Sequence, residues 1–352
     1  MRIVFAGGGT LGHVIPALPV ARELKIRMPP PKLFFIGTKS GLEKERIKIC
    51  GLFDEIHLLD AAGFQKNAFR NLLAFLKFAR NYYHCRKLLK KIRPAIVVGM
   101  GGYASAPAVL AASRLKIKTA IHEQNASYGL ANKFLKKRVD RILLAYDIDR
   151  GKKTRLVGNP RTSEIYRKYK NKPSSEDFLL IVGGSRGAKR INDLALDLKE
   201  EFIKRGIKVV LITGSAYYRK NHKNFKETND FVVKDFVEDL PELMHAARAV
   251  VSRSGATTLA EIMALRKPSL LIPSPNVAGN HQEKNALEIA KKEGALMIRE
   301  SELTPDNFLS AALSLMVDRE LRKKIITNLN WIADLDACNK FTKELDEMMV
   351  SG

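Results

Sequence analysis

Short apolar runs alternate with longer amphipathic segments along this chain, and the whole alternation occurs twice. The strand-like runs of the two series are Arg2–Ala6, Lys32–Gly37, Ala95–Gly99, Lys118–His122 and Arg141–Ala145, then Phe178–Val182, Lys208–Ile212, Phe231–Val233, Ala249–Val251 and Ser269–Ile272. The helix-like segments between them include Val14–Ile26, Ala68–Lys91, Ile191–Lys204, Thr257–Leu265 and Gln282–Lys292. Such alternation is typical of an α/β fold with a doubly wound parallel sheet. Its repetition predicts two Rossmann-like domains, with ligands bound in a cleft between the carboxyl edges of their sheets.

The length of 352 residues also favours two domains, because single cores rarely grow that large. Gly158-Asn159-Pro160 lies between the two series and predicts a linker. We therefore expect one domain over residues 1–157 and a second over 158–335. The tail has a helical pattern, and we expect residues 336–352 to pack back on the first domain.

The chain carries a formal net charge of +24, which bears on its partners more than on its fold. Nucleic acid, anionic lipid and pyrophosphate compounds are the candidate partners, and a general lysine bias is the alternative explanation. The 3 cysteines form no CxxC pair, so we expect neither a disulfide framework nor a zinc site. We expect the protein to reside in a reducing compartment. We expect no signal peptide, and the uncharged run Ala95–Ser113 is interrupted by glycine and proline, which predicts strand, loop and helix.

A glycine-rich turn follows the first strand, in the run from Gly7 to Pro16. Glycines let the backbone turn sharply and approach a ligand closely. Gly7, Gly9 and Gly12 satisfy GxGxxG, which alone is a weak dinucleotide signal. The second strand ends in Gly37-Thr38-Lys39-Ser40 without an acid, which disfavours NAD and leaves NADP open. His13 in this turn is a candidate general base or, alternatively, a helix cap.

Two further motifs occur in the second series. Gly183-Gly184-Ser185-Arg186-Gly187 follows a strand and precedes a helix, an arrangement that cradles phosphates. The run Ser252–Glu261 also leads into a helix, and Glu261 falls about two turns in, where a carboxylate can accept hydrogen bonds from ribose hydroxyls. Together they predict a nucleotide diphosphate site in the second domain.

The motifs together resemble the MurG family, the UDP-N-acetylglucosamine transferases that complete lipid II in peptidoglycan synthesis. The resemblance rests on Gly8–Ala17, Val98–Tyr103, His122-Glu123-Gln124-Asn125, Val157–Arg161, Gly183–Gly187, Arg253–Glu261 and His281–Ala286, in that order over almost the whole chain. It implies a GT-B fold and an inverting transfer of N-acetylglucosamine from UDP-N-acetylglucosamine to the C4 hydroxyl of the N-acetylmuramyl group of lipid I. It also implies no cofactor.

The resemblance assigns roles to particular residues. Thr10, Leu11 and Gly12 would form a loop at the cleft, Asn125 and Arg161 would contact the donor, and Ser185 would hold the diphosphate. Val237 would meet the uracil through its backbone, Ala256, Thr257, Thr258, Leu259, Ala260 and Glu261 would wrap the diphosphate and ribose, and Gln282 would contact the sugar hydroxyls. Leu11 departs from the family, which usually has glycine there, and adds bulk to the acceptor loop.

The expected reaction is a direct displacement at the anomeric carbon. His13 is the first candidate to take the proton of the acceptor hydroxyl, and Glu123 is the second. Helix starts near Ser185 and Thr257 can stabilise the leaving diphosphate. Asp147-Ile148-Asp149 and Asp334-Leu335-Asp336 have the spacing of a metal motif, but we interpret them as solvated acids and predict no metal site.

No acidic residue occurs between Ala61 and His122, and basic residues interleave with aromatic ones over residues 64–93. This stretch predicts attraction to an anionic bilayer, hence a peripheral protein on the cytoplasmic face of the plasma (inner) membrane. The alternative is a core helix, since Leu72, Phe75 and Leu76 have the spacing of a face packed on the sheet. We expect no nucleic acid partner, because no known binding module is present.

Three rival functions remain open from the sequence. A related lipid glycosyltransferase with a diacylglycerol-type acceptor would share the donor motifs. An NADP-dependent oxidoreductase would use the first glycine turn but leaves Ser254–Glu261 without a role. A non-catalytic polyanion-binding protein would explain the charge alone.

Overall fold

The structure is a computed structural model that describes residues 1–39, 47, 49–61, 68–174, 177–183, 188–225 and 227–350, with the side chains of residues 11, 68–72, 224 and 278 outside the description. Contacts divide the chain into two compact units. Unit 1 comprises Met1–Glu164 and Asp334–Gly352, and unit 2 comprises Ile165–Ala333.

Unit 1 contains a seven-stranded sheet in the order β3-β2-β1-β4-β5-β6-β7. Its strands are β1 Arg2–Gly8, β2 Lys32–Thr38, β3 Glu55–Leu59, β4 Ile96–Gly102, β5 Lys118–Glu123, β6 Arg141–Leu144 and β7 Thr154–Leu156. Its described helices are α1 Ala17–Lys25, α2 Ala68–Ile92, α3 Ser105–Arg114, α4 Leu130–Leu135, α5 Pro160–Tyr169, which continues into unit 2, and the C-terminal α14 Ala337–Val350. All six strand pairs are parallel.

Unit 2 contains a six-stranded parallel sheet in the order β10-β9-β8-β11-β12-β13. Its strands are β8 Phe178–Val182, β9 Lys208–Ile212, β10 Phe231–Lys234, β11 Ala249–Ser252, β12 Ser269–Leu271 and β13 Leu296–Met297. The described helices are α6 Lys189–Asp197, α7 Lys199–Lys204, α8 Ser215–Asn221, α9 Leu240–Ala246, α10 Ala256–Leu265, α11 His281–Ala290, α12 Pro305–Val317 and α13 Arg319–Ile332.

Apolar side chains cover both faces of the sheet in unit 1, which is why its inner strands read as continuous apolar runs. One core cluster joins β1 and β4 to α1 and α14, with Phe341 and Leu345 fully buried in it. The other core cluster joins the opposite face to α2, α3 and α4, through buried Cys85 and Leu89 among others. The predicted pair of doubly wound, Rossmann-like domains is confirmed.

The strand order of each sheet reverses direction at one point. In unit 1 the reversal lies between β1 and β4, and in unit 2 it lies between β8 and β11. Loops that leave the carboxyl ends of two such strands run to opposite sides of the sheet and open a crevice. The two glycine turns and the Ser252–Glu261 run all follow strands at these reversals.

Some elements differ from the sequence pattern. Strands β3, β7 and β13 were not predicted, because they are short sheet-edge or near-edge strands without a long apolar run. The predicted helix Ile191–Lys204 is two helices that meet at Leu198. The expected linker ends at Pro160, which begins α5, since proline is well accommodated in the first turn of a helix.

Candidate functional site

The carboxyl ends of β1 and β4 approach each other so closely that only glycine fits. Gly8 pairs with Gly102 across the two strands. A Cβ atom on Gly102 would lie 1.7 Å from the carbonyl oxygen of Gly8, and Gly102 has φ +80°. The glycines of both motifs therefore serve one structure, a floor of bare backbone at the reversal point of unit 1.

The His13 side chain packs against this backbone surface. It ends a 3₁₀ turn, Leu11–His13, and its Nδ1 lies 3.2 Å from the Gly8 carbonyl oxygen and 3.1 Å from Thr10 Oγ1. A Cβ atom on Gly101 would lie 2.8 Å from His13 Cδ2, so the imidazole packs directly on β4. Because a carbonyl only accepts, the contact with Gly8 favours a proton on Nδ1 and leaves Nε2 as the basic nitrogen of the neutral ring.

The remaining residues of the first loop lie beside His13. Thr10 is exposed, and Gly12 is the central residue of the 3₁₀ turn that begins at Leu11. The Tyr103 ring lies close to Gly9, because a Cβ atom on Gly9 would be 3.2 Å from it. The structure thus brings Thr10, Leu11, Gly12 and His13 together at one place.

Glu123 is buried at the end of β5, with 2% of its surface exposed. Its Oε1 accepts from Asn125 N at 3.1 Å and from Asn125 Nδ2 at 3.0 Å. Its Oε2 accepts from Gly129 N at 2.9 Å and from Asn132 Nδ2 at 2.8 Å. Four donors stabilise the carboxylate and occupy both oxygens, which suits an anchor for the following loop better than a base.

Asn132 is a part of this network that the sequence reasoning did not single out. It lies in α4, is buried beside Leu135, and also donates to the His122 carbonyl at 2.9 Å. An asparagine on the apolar side of a short helix is the signal that could have revealed it, because a buried amide needs partners.

Arg161 lies near the start of α5 and pairs with Glu164 at 2.6 Å. Glu164 also pairs with Arg22 of α1. Upstream, the His122 Nε2 donates to the Gly158 carbonyl at 3.1 Å, and burial lowers the pKa of His122 to about 4. His122 is therefore a neutral residue that stabilises the chain segment leading into α5, rather than a proton carrier at neutral pH.

The reversal point of unit 2 also begins with a glycine that leaves no room for a side chain. A Cβ atom on Gly183, just after β8, would lie 2.8 Å from Asn192 Oδ1. Asn192 is buried in α6 and donates to the Thr213 carbonyl at 3.0 Å, which ties the glycine turn to the end of β9. The predicted diphosphate residue Ser185 lies outside the described residues.

Helix α10 follows β11, which is the neighbour of β8 in the sheet with Ser252 opposite Val182. Gly255 is its N-cap and supplies no side-chain cap, so the first amides of the helix have no such partner. The Thr257 hydroxyl is buried without a hydrogen-bond partner among the described residues. Uncapped amides with an unpartnered hydroxyl in the same turn form a suitable anion site.

The predicted donor residues of α10 differ in burial and fall into three groups. Ala256, Thr257 and Thr258 form its half-buried first turn. Leu259 and Ala260 are fully buried, and the Leu259 amide donates to the Gly255 carbonyl at 2.9 Å. Their buried side chains can affect ligand binding only by fixing the position of α10. Glu261 is 5% exposed, so it is not on a solvated helix face.

Gln282 and Val237 also lie in unit 2. Gln282, in the first turn of α11, accepts from Ser274 N through Oε1 at 2.9 Å, and its carbonyl accepts from Ser254 Oγ at 2.8 Å. The second bond joins α11 to the turn before α10. Val237 follows β10, is half-buried and packs against the core of the unit.

The two Asp-x-Asp motifs are engaged in local contacts. Asp147 pairs with Arg150 at 2.6 Å, and Asp149 accepts from Tyr128 at 3.0 Å. Asp334 pairs with Lys340 at 2.7 Å, and Asp336 accepts from Asn339 at 2.6 Å. Within the part of the chain that the structure describes, no group of three or more histidine, cysteine or acidic residues has the arrangement of a metal site.

The apolar residues of α2 do not all pack on the sheet. Phe75 is 59% exposed and Leu76 is 56% exposed, so the core-helix interpretation is wrong for these two, and the Leu72 side chain lies outside the description. Leu130 and Phe134 of α4 are exposed as well, and the Phe134 ring meets Phe78 of α2 at 6.2 Å. Among the described helices, none is both long and apolar enough to cross a membrane.

Two parallel α/β sheets, each with a glycine motif after a strand at its reversal point, define a protein of two Rossmann-like domains. Comparison with family models identifies the family. Residues 3–144 match the glycosyltransferase family 28 N-terminal domain, and residues 178–333 match the C-terminal domain of the same family.

Relatives narrow the class further. The UDP-N-acetylglucosamine–N-acetylmuramyl-(pentapeptide) pyrophosphoryl-undecaprenol N-acetylglucosamine transferase of Halalkalibacterium halodurans is 40% identical over 334 residues, covering 90% of this chain and 91% of the relative. The enzyme of the same name from Bacillus cytotoxicus is 36% identical over 365 residues, covering 99% of this chain and 100% of the relative. The crystal structure of Acinetobacter baumannii MurG shares the fold, with a TM-score of 0.77, 23% identity, and coverage of 98% and 99%. The chain belongs to the MurG family of glycosyltransferases, as its motifs predicted.

Proposed function

We propose that this protein transfers N-acetylglucosamine from UDP-N-acetylglucosamine to the C4 hydroxyl of the N-acetylmuramyl group of lipid I, which yields lipid II. Two observations within the same chain carry the proposal: unit 1 has a histidine-bearing glycine floor, and unit 2 has a helix start without a side-chain cap. The names of full-length relatives support the identity of both substrates.

The donor would bind in unit 2. The first-turn amides of α10 and the Thr257 hydroxyl would receive the diphosphate, and Glu261 in the next turn would accept from the ribose hydroxyls. Ser185 would add a diphosphate contact, Val237 would meet the uracil, and Gln282 would contact the sugar. As the glycosidic bond to UDP breaks, negative charge grows on the diphosphate. The positive end of α10 stabilises that charge.

The acceptor would be activated in unit 1. The Nε2 atom of His13 takes the proton of the acceptor hydroxyl while the oxygen attacks the anomeric carbon. The electron pair of the breaking bond leaves with UDP. Because this is a direct displacement, attack and departure occur on opposite faces of the sugar. Glu123 is less suited to this role, because both of its oxygens already accept two hydrogen bonds.

The lipid acceptor requires contact with a membrane, and one surface of unit 1 suits it. We define the α2–α4 surface by its exposed apolar residues Leu73, Phe75, Leu76, Leu130 and Phe134. Exposed basic residues accompany it, namely Arg80, Lys133, Lys137 and Arg138. Each basic side chain contributes about 1 kcal/mol at an anionic surface, so four suffice for reversible binding. We therefore place the protein peripherally on the cytoplasmic face of the plasma membrane.

The decisive test is transfer of labelled N-acetylglucosamine to either of two acceptors, a lipid I analogue or diacylglycerol, with an acceptor-free reaction as the control. We expect product only with the lipid I analogue. Product on diacylglycerol alone would establish the rival lipid glycosyltransferase. Calorimetry with UDP and NADP separates the remaining rivals, because an oxidoreductase would bind NADP and a polyanion-binding protein would bind neither selectively.

A further inference from the structure

The loop between β5 and α4, residues 124–129, leaves the carboxyl edge of unit 1 and carries Asn125. Glu123 holds both ends of this loop from within, through the Asn125 and Gly129 amides at 3.1 and 2.9 Å. Tyr128, the residue before Gly129, adds a side-chain contact that runs from this loop to a neighbouring one.

The Tyr128 hydroxyl donates to Asp149 Oδ2 at 3.0 Å. Asp149 lies in the loop that follows β6, the neighbour of β5 in the sheet, and its Oδ1 accepts from Gly151 N at 3.0 Å. Lys136, just after α4, reaches the same Oδ2 at 3.4 Å and lies 4.6 Å from the centre of the Tyr128 ring. The β5–α4 loop is thus fastened to the next loop along the edge.

The charges of the pair make this bond a strong one. The Tyr128 hydroxyl, the Gly151 amide and Lys136 lower the pKa of Asp149, so the carboxylate is ionised at neutral pH. Burial and the Asp149 carboxylate raise the pKa of Tyr128, which keeps its hydroxyl protonated as a donor. Hydrogen bonds to an ionised acceptor are about twice as strong as neutral ones.

We propose that Tyr128 and Asp149 form a positioning pair, which fixes the β5–α4 loop between Glu123 and the β6 loop so that Asn125 keeps the place needed for donor contact. This inference rests on the proposed function for its effect on catalysis. Neither residue is proposed to touch the reacting atoms. Small displacements of positioning groups can lower turnover strongly, because alignment of the reacting groups is lost.

The test uses the full chain with Tyr128→Phe, Asp149→Asn and the double variant. We expect amides of residues 124–129 to exchange hydrogen several-fold faster in each variant. We also expect kcat/KM for the donor to fall about tenfold, with the acceptor KM within about twofold of wild type. The double variant should lose no more than the stronger single variant, since both remove one interaction.

Asp147→Asn is the matched control, because it removes an acid from the same loop that pairs with the exposed Arg150. It should leave both exchange and turnover unchanged. Wild-type exchange in Tyr128→Phe, or losses that multiply in the double variant, would overturn the positioning pair. If the wild type does not transfer to lipid I, the proposed function fails, whereas the exchange comparison still decides whether the pair holds the loop.

Discussion

The Nδ1 atom of His13 lies 3.2 Å from the carbonyl oxygen of Gly8, a contact between the 3₁₀ turn and the strand that precedes it. The carbonyl restrains the orientation of the ring and favours a proton on Nδ1. A general base needs both to be set before the substrate arrives. The glycine floor thus orients the imidazole in a way that suits the proposed role of His13 as general base.

His13→Ala should lower turnover by about a hundredfold or more, because general bases typically contribute that much. Binding of UDP should remain unchanged, since the proposed donor residues lie in unit 2. Initial rates with the lipid I analogue and calorimetry with UDP measure the two effects. A loss below tenfold would show that His13 is not the base.

Gly101→Ala should disable the same histidine without removing it. The new methyl group would lie 2.8 Å from His13 Cδ2, and Gly101 has φ +94°. We expect turnover to fall at least tenfold because the ring must move. Gly51→Ala is the control, since Gly51 has φ +63° and nothing within 4 Å of an added Cβ. Equal losses of activity in the two variants would mean that backbone strain, not the histidine contact, is responsible.

Glu261→Gln should weaken UDP binding by about tenfold, because a hydrogen bond to a charged group contributes about 1.5–3 kcal/mol. The side chain keeps its size, so the helix start should be preserved. Calorimetric Kd values for UDP measure the effect, and Glu320→Gln, an exposed acid of α13, is the control. Unchanged UDP affinity in Glu261→Gln would remove the ribose contact from the proposal.

The double variant Phe75→Ser, Leu76→Ser should bind phosphatidylglycerol vesicles at least tenfold more weakly. The two large apolar side chains could then no longer be partly buried in the bilayer. Both residues are largely exposed, so the melting temperature should change little. Vesicle sedimentation measures binding, and Trp331→Ser, which alters an 87% exposed aromatic residue of unit 2, is the control. Added salt should weaken wild-type binding, and equal binding to neutral vesicles would contradict the electrostatic part.

His122 should make unfolding depend on pH. Burial lowers its pKa in the folded protein to about 4 from 6.5, so the unfolded chain binds more protons between these values. The stabilisation is complete above about pH 6.5 and is lost as pH falls towards 4, by on the order of 3 kcal/mol. The free energy of unfolding of His122→Gln, measured with urea, should depend less steeply on pH over this range. His222→Gln, at an exposed position, should follow the wild type.

Much of the fold could be predicted from local pattern. The alternation of strand and helix periods gave the parallel sheets, and the glycine turns fell where the strand order reverses. The grouping of Thr10, Gly12 and His13 could also be predicted, since they are neighbours in one turn. The roles of Asn125, Arg161 and most α10 residues came from family resemblance, and that of Glu261 also came from its place in the motif. All of them stay predictions.

Other features were beyond the sequence pattern. The spacing of Phe75 and Leu76 indicated a buried helix face, yet both are exposed, because spacing cannot tell which surface covers a helix. Glu123 looked like a possible base, and only its four donors from residues 125, 129 and 132 show an anchored carboxylate. The pair of Tyr128 and Asp149 joins loops after different strands, so no local pattern contains it.

The sequence by itself determined the repeated α/β architecture, the positions of the glycine turns and the family, because periodicity, backbone freedom and motif order are written along the chain. Tertiary structure decided the contacts of the His13 ring, the four donors around Glu123 and the exposed face of α2. Those depend on which groups come within hydrogen-bond distance once the turns and loops at the sheet edge are folded, and on which surfaces remain in contact with water. Packing of the whole sheet sets both.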